Sequence, residues 1–315
     1  MLNRRHLRIK VLQTLYAYTQ SPDKQVSKFE KHLLKNVDQV YEMYIWLLAL
    51  LAEVCAYADV DAEDRANKFL PTTEDLNFNT HLSENVFIRL LNQNESFLEG
   101  LKKYKVSWSY DPEIVPSIFK ALKKTPEYQA YMAETDRSLS QEKDIIKFIF
   151  RKLVLKIPAV EQSFEERFLH WTMDKEVLKA MVAKTLKNFN SEHPGENKLV
   201  EISPNWEEDK AYILKLFTHS IQFSDEYQEL ISTRTKNWTS ERIALMDTLL
   251  MRLAICELIH FPNIPVKVTI NEYLEISKEF STPKSNTFIN GILDSILLDL
   301  KTAGRIHKYG RGLLE

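Results

Sequence analysis

The sequence predicts an all-α protein, and three observations carry that reading. There are only 6 glycines among 315 residues, the first at Gly100. The 11 prolines fall mostly at the edges of apolar-periodic stretches. No run of alternating polar and β-branched residues is long enough to stand as a strand. At 44% hydrophobic and 27% charged the chain is globular in composition, and long enough for two domains or one large one.

The elements follow in order. A first helix, 3–19, is closed by Pro22. A second, 26–58, holds the most apolar run, YEMYIWLLALLAEVCAYA (41–58). Glu42 and Glu53 interrupt it, and its uncharged core is about half of the ~20 residues a membrane span needs, so it reads as a buried helix. Pro71 sits in a polar connector before 81–103. Pro112 and Pro116 open 111–124, and 127–134 follows. Pro158 separates 140–156 from 159–170. Helix 174–189 ends at the loop NSEHPGENK (190–198), after which come 206–221 and 224–236. Helix 240–260 has Ser240 as N-cap and Glu241 in its first turn. FPNIP (261–265) and STPK (281–284) are tight breaks before 266–280 and 285–301. Residues 21–200 are generic amphipathic helix rich in Lys and Glu, whereas 205–302 are denser in apolar residues and have short connections.

Charge is unevenly placed. Against an overall −2, residues 1–20 carry +4 and 301–315 carry +3, which leaves the remainder at −9. Two basic ends on an acidic body suggest a local anion-binding surface rather than a protein basic throughout. Cys55 and Cys256 show no metal-ligand spacing, and two lone thiols fit a reducing, cytoplasmic setting. The start is charged but lacks the apolar stretch of a signal peptide. No phosphate-binding Gly-rich loop, H-E-x-x-H or G-x-S-x-G is present, and the eight histidines are scattered, so neither an enzyme nor a cofactor is expected.

Three stretches could carry function. The first is NRRHLRIKVLQTLYAY (3–18). Cations on the opening turns of a helix face the positive end of its dipole, at a cost of roughly 0.3–1 kcal/mol each. Arg4, Arg5 and Arg8 stand there beside free backbone N–H groups, a combination that suits phosphate. The alternative is an exposed charged end with no ligand. Leu7, Val11, Leu15 and Tyr18 form one apolar stripe, with Ile9, Leu12 and Tyr16 roughly opposite, so the helix packs between neighbours.

The second is TSERIALMDTLLMRLAICELI (239–259), apolar nearly all round. Asp247 and Glu257 share one face, either paired within the fold or presented to a basic partner. The third is PVKVTINEYLEISKEFSTPKSNTFINGILDSIL (265–297). Lys284, Ser285 and Asn286 open its second helix at free N–H groups. Phe288 either stacks on a base or belongs to the core. Gly291 lies inside this helix, where close approach of a neighbouring helix would explain it.

Together these stretches resemble the bacterial NusB family of transcription antitermination factors. Residues 3–18 resemble its Arg-rich opening helix. Residues 241–294 resemble its C-terminal signature, with I-x-E-L, I-P-x-K-V-x-I-N-E and F-x-N-G-x-L-D in order and without a gap. The resemblance implies NusB-like helical bundles built from 1–20 plus 205–302, with 21–204 an inserted helical region and 303–315 a flexible basic tail. It implies a non-enzymatic, cytoplasmic factor that binds boxA RNA of ribosomal RNA transcripts with ribosomal protein NusE, within the RNA polymerase antitermination complex and away from membranes. Carried over by position, Arg4, Arg5, Arg8, Ser285 and Phe288 would face RNA. Lys284 joins them, standing where some members have an acid. Tyr16, Asp247 and nearby Glu257 would face the protein partner. His6 replaces an arginine that members can carry. The alternative is a helical interaction scaffold that has lost RNA binding.

Overall fold

The computed structural model describes residues 1–73, 80–235 and 244–313. They are helical, with no strand among the described residues. The chain divides into two compact units, the first holding Met1 and Asp38–Ile202, the second Leu2–Val37 and Ser203–Glu315.

In the first unit the core grows on the C-terminal part of α2 (Val26–Ala66). Tyr44, Leu47, Leu48, Leu50, Leu51, Val54 and Cys55 are all fully buried there, as the buried-helix reading of this run requires. By length and composition this helix alone among the described residues could cross a membrane, yet two-thirds of its most apolar window is buried in the fold. Among the described residues the unit also holds α3 (Val86–Asn92), α4 (Glu95–Tyr104), α5 (Ile114–Leu122), α6 (Pro126–Ala133), α7 (Leu139–Phe148), a π-helical turn (Ile149–Val154), α8 (Pro158–Arg167) and α9 (Trp171–Asn188). An aromatic chain fills the space beside α2. Trp46 meets Trp108 edge-on at 5.2 Å, Trp108 lies 5.8 Å from Phe164, and Phe164 stacks on Trp171 at 4.2 Å. Gly100 is required by α2, since a Cβ there would come within 2.9 Å of the Ile45 side chain.

The predicted helix 81–103 is two helices. Asn85 caps α3 by accepting the Ile88 N–H, and Asn94 caps α4 by accepting the Phe97 N–H. Caps of this kind hold a new start open in the middle of an apolar pattern. The predicted 140–156 is α7 followed by the π-turn, in which the Leu155 N–H reaches the Phe150 carbonyl, five residues back, at 3.1 Å.

The second unit packs α1 (Arg4–Gln20) against α10 (Trp206–Gln222) and α12 (Leu245–His260), with α11 (Ser224–Arg234), α13 (Val266–Phe280) and α14 (Ser285–Thr302) around them. Its α12 is buried at every position from Leu249 to Leu258 except Arg252, in keeping with an apolar surface on all sides. The expected cap at Ser240 and Glu241 lies outside the described residues. Residues 21–37, read from the sequence as part of the insertion, fall in the second unit, where Phe29 meets Tyr18 edge-on at 5.3 Å.

Two expectations are corrected here. Residues 303–313 are not a loose tail. Lys308 donates to the Phe261 carbonyl at 2.9 Å, the Tyr309 N–H reaches the Pro262 carbonyl at 3.3 Å, and Arg305 pairs with Glu226. Gly312 comes so close that a Cβ would sit 1.8 Å from the Pro262 oxygen. Gly291 does not mark a close helix contact, since a Cβ there meets nothing within 4 Å. Gly291→Ala is therefore expected to stabilise the fold by about 0.5–1 kcal/mol through the unfolded chain alone. A urea unfolding curve whose midpoint stays put or falls would contradict this.

Candidate nucleic-acid interface

The arginines of α1 meet acids supplied by the C-terminal half of the chain. Asn3 caps the helix, accepting the His6 N–H at 3.0 Å, while its own N–H donates to His6 Nδ1 at 3.2 Å. Burial and the neighbouring positive charges lower the His6 pKa, which keeps this nitrogen available as an acceptor. The histidine that departs from the family pattern thus closes a capping box.

From this start the arginines fan out. Arg4 donates to Glu208 at 2.6 Å, pairs with Asp209 at 2.9 Å, and lies 4.3 Å over the Tyr212 ring. Arg5 grips Glu272 with two parallel hydrogen bonds of 2.9 and 2.8 Å, and this holds the Glu272 carboxyl below its ordinary range. Arg8 grips Glu257 in the same way at 2.9 and 2.7 Å. The repulsion expected at the helix start is answered within the fold, and two of the answering acids belong to the signature: Glu257 to I-x-E-L and Glu272 to I-N-E.

The outermost and innermost pairs differ in kind. Arg4 and Arg5 keep 34% and 40% of their side-chain surface exposed, against 2% for Arg8. Glu257 is fully buried and also accepts from Tyr212 at 2.6 Å, Thr269 at 2.8 Å and Tyr273 at 3.3 Å. Five donors saturate its two oxygens. Burial, and then the Glu257 charge, push the Tyr212 and Tyr273 phenols well above their usual range. This cluster is a structural lock.

Beside it runs an open groove of about 970 Å³, walled by the starts of α1, α10 and α13, the 261–265 loop and the C-terminal segment. Arg4, Arg5, Tyr212, Lys215, Tyr309 and Arg311 line it. Tyr309 is 58% exposed, and Arg311 has no ion pair or side-chain hydrogen bond among the described residues. The sequence reading missed Tyr212, Lys215, Tyr309 and Arg311 as groove residues. A lone Tyr in a tail and a Lys on an amphipathic helix carry no signal of their own. His260 also lines the groove, stacked 4.8 Å from Phe223, and its pKa is lowered to about 4 by burial, then by His219 and Lys215.

Four predicted site residues prove to be internal. Arg8 and Glu257 bind each other. Asp247, 5% exposed, holds the start of α14 by accepting from Ser281 and, at 2.8 Å, from Ser285, itself 3% exposed. The reason is common to all four: a polar group that packing encloses must find its partner inside. Lys284 is exposed and Phe288 half-buried at the start of α14, but neither lines the groove. Tyr16 is 41% exposed on α1. Both thiols are buried, which pushes Cys55 up and Cys256 up to about 12, so neither is poised to react.

The sequence was compared with known proteins. The family model described as the NusB family matches residues 175–297, from within α9 to the last turns of α14. The transcription antitermination protein NusB of Salinibacter ruber is 46% identical over 99 residues, 31% of this chain and 62% of that protein. That of Chloroherpeton thalassium is 42% identical over 106 residues, 34% and 50% of the two chains. That of Dictyoglomus thermophilum is 32% identical over 114 residues, 36% of this chain and 79% of the relative. The chain thus spans half to under two-thirds of the length of the first two. No solved structure matches. With nearly four-fifths of one relative covered, and with the signature's acids seated on the arginines of the opening helix, the chain belongs to the NusB family.

Proposed function

We propose that the protein is a transcription antitermination factor, whose second unit binds boxA-type RNA of ribosomal RNA transcripts together with ribosomal protein NusE. In this reading the second unit, with 1–20 and 205–302 as its family-like part, is the RNA-binding domain of a cytoplasmic RNA polymerase antitermination complex, and the first unit is an addition to it. The observation that supports it is the groove: guanidinium groups of Arg4 and Arg5 at its mouth, Arg311 with no ion pair among the described residues, and Tyr212 and Tyr309 beside them.

The ion pairs do not forbid this. An exposed pair contributes about 0–1 kcal/mol, so Arg4 can exchange Glu208 for a phosphate at little cost. Until then the acids hold each guanidinium in place, which reduces the ordering needed on binding. Lys284 and Phe288 would extend the contact at the start of α14, the first to phosphate and the second to a base. Tyr16, the exposed aromatic of α1, would face NusE.

Arg4→Ala with Arg5→Ala is expected to lower boxA affinity about tenfold or more and to flatten the salt dependence by about 1.4 in log–log slope, two contacts at ~0.7 each. The fold should persist, because the Arg8–Glu257 lock is untouched. Unchanged affinity in the folded double variant would favour the second reading, a helical scaffold that has lost RNA binding. One observation speaks for that reading: Arg4 and Arg5 already have carboxylate partners.

A further inference from the structure

The first unit carries a basic groove that the RNA reading of the second unit does not use. It has a volume of about 610 Å³ and lies along the π-turn and α9. Lys147, Arg151, Lys152 and Lys156 line it, with Lys175 and Lys179 across from them. Two acids, Asp144 and Glu176, share the lining. Lys175 pairs with Glu161 and Lys179 with Glu176. The other four cations are exposed and make no ion pair or side-chain hydrogen bond among the described residues. This is the reverse of the second unit, where every arginine of α1 has its acid.

The local backbone gathers them. Lys147 stands on the last turn of α7, Arg151 and Lys152 in the π-turn, and Lys156 in the turn that ends it, and all four reach one groove. Ile149, Phe150 and Val154 remain buried on the opposite side, so the wide turn is held by the core. A π-turn weakens helical hydrogen bonding, and such turns concentrate where a side chain must be placed for a ligand.

We propose that this groove binds the sugar–phosphate backbone of single-stranded RNA, independently of sequence and of the groove in the second unit. Unpaired like charges brought together repel until an anion neutralises them. Five of the six cations are lysines, which are depleted at protein–protein interfaces but are the common neutralisers of a phosphate chain. Half-buried Phe148 on the groove wall offers a ring for one base.

The test is binding of a fluorescent oligouridylate to the full chain, followed by anisotropy over a range of salt. The variant carries alanine at Lys147, Arg151, Lys152 and Lys156. The control carries alanine at the exposed Lys102, Lys120, Lys124 and Lys187, with the same loss of net charge. Circular dichroism establishes that both are folded. The expected result is a loss of about tenfold or more and a slope flattened by up to about 2.8 in the groove variant, with the control close to wild type. Equal affinities in variant and control would overturn the proposal. So would displacement of the RNA by polyglutamate at the same charge concentration as by unlabelled RNA, which would make the groove a site for acidic protein. Because the probe lacks a boxA sequence and Arg4 and Arg5 are intact, the outcome does not depend on the boxA result.

Discussion

Glu257→Ala is expected to destabilise the second unit by about 3–5 kcal/mol, the range for removing one partner of a buried ion pair. The carboxylate accepts from Arg8, Tyr212, Thr269 and Tyr273, and both Arg8 and Glu257 are sealed from water. Its loss leaves a buried guanidinium with only the Glu272 carboxylate, 3.6 Å away, and three buried hydroxyls without the acceptor they share. Glu257→Gln should cost less, since an amide oxygen still accepts, but it cannot meet both arms of the Arg8 fork. The double replacement Arg8→Met with Glu257→Leu should recover much of the loss, because it removes the charge along with its counter-charge. Urea unfolding measures all three. A cost under about 1 kcal/mol for Glu257→Ala would mean that water reaches the cluster and that the lock is not one.

Phe164→Ala should cost the first unit a similar amount, about 3–5 kcal/mol. Phe164 is 1% exposed and joins the aromatic chain at its centre, stacked on Trp171 with Trp108 and Phe168 at 5.8 and 5.9 Å. Truncation would leave a cavity lined by rings, which cannot collapse without moving α8 or α9. Phe164→Leu should cost clearly less, because it refills part of the volume. Tryptophan fluorescence during unfolding would report the change, since Trp46, Trp108 and Trp171 lie in this core. A value near that of an ordinary surface substitution, within ~0.5 kcal/mol, would show that the ring stack does not hold the unit together.

The helices were legible because their cause is local. Pro158 opens α8, and the 261–265 and 281–284 breaks bound α12, α13 and α14 as their prolines suggest. The errors are of two kinds. Asn94 reads as one polar residue in an apolar pattern, and only its bond to the Phe97 N–H makes it a cap. The i to i+5 bond of the π-turn leaves no compositional trace, since residues 147–156 suit an α-helix equally well. At the site, Arg4 and Arg5 were legible as groove residues because cations near a helix start tend to be accessible. Tyr309 and Arg311 were not, because their position depends on the tail lying against Pro262.

The sequence by itself determined an all-helical chain, its opening Arg-rich helix and the C-terminal signature that marks the family. Hydrophobic period and breakers act over a few residues, so they survive without knowledge of the fold. Which charges face water was decided only in three dimensions. Arg8 and Glu257 are separated by 249 positions, and no local pattern states that they meet. Packing α1 against α12 excludes water between them, and a charge so enclosed must be paired. Arg5, one turn nearer the helix start, keeps enough solvent to remain available to a ligand.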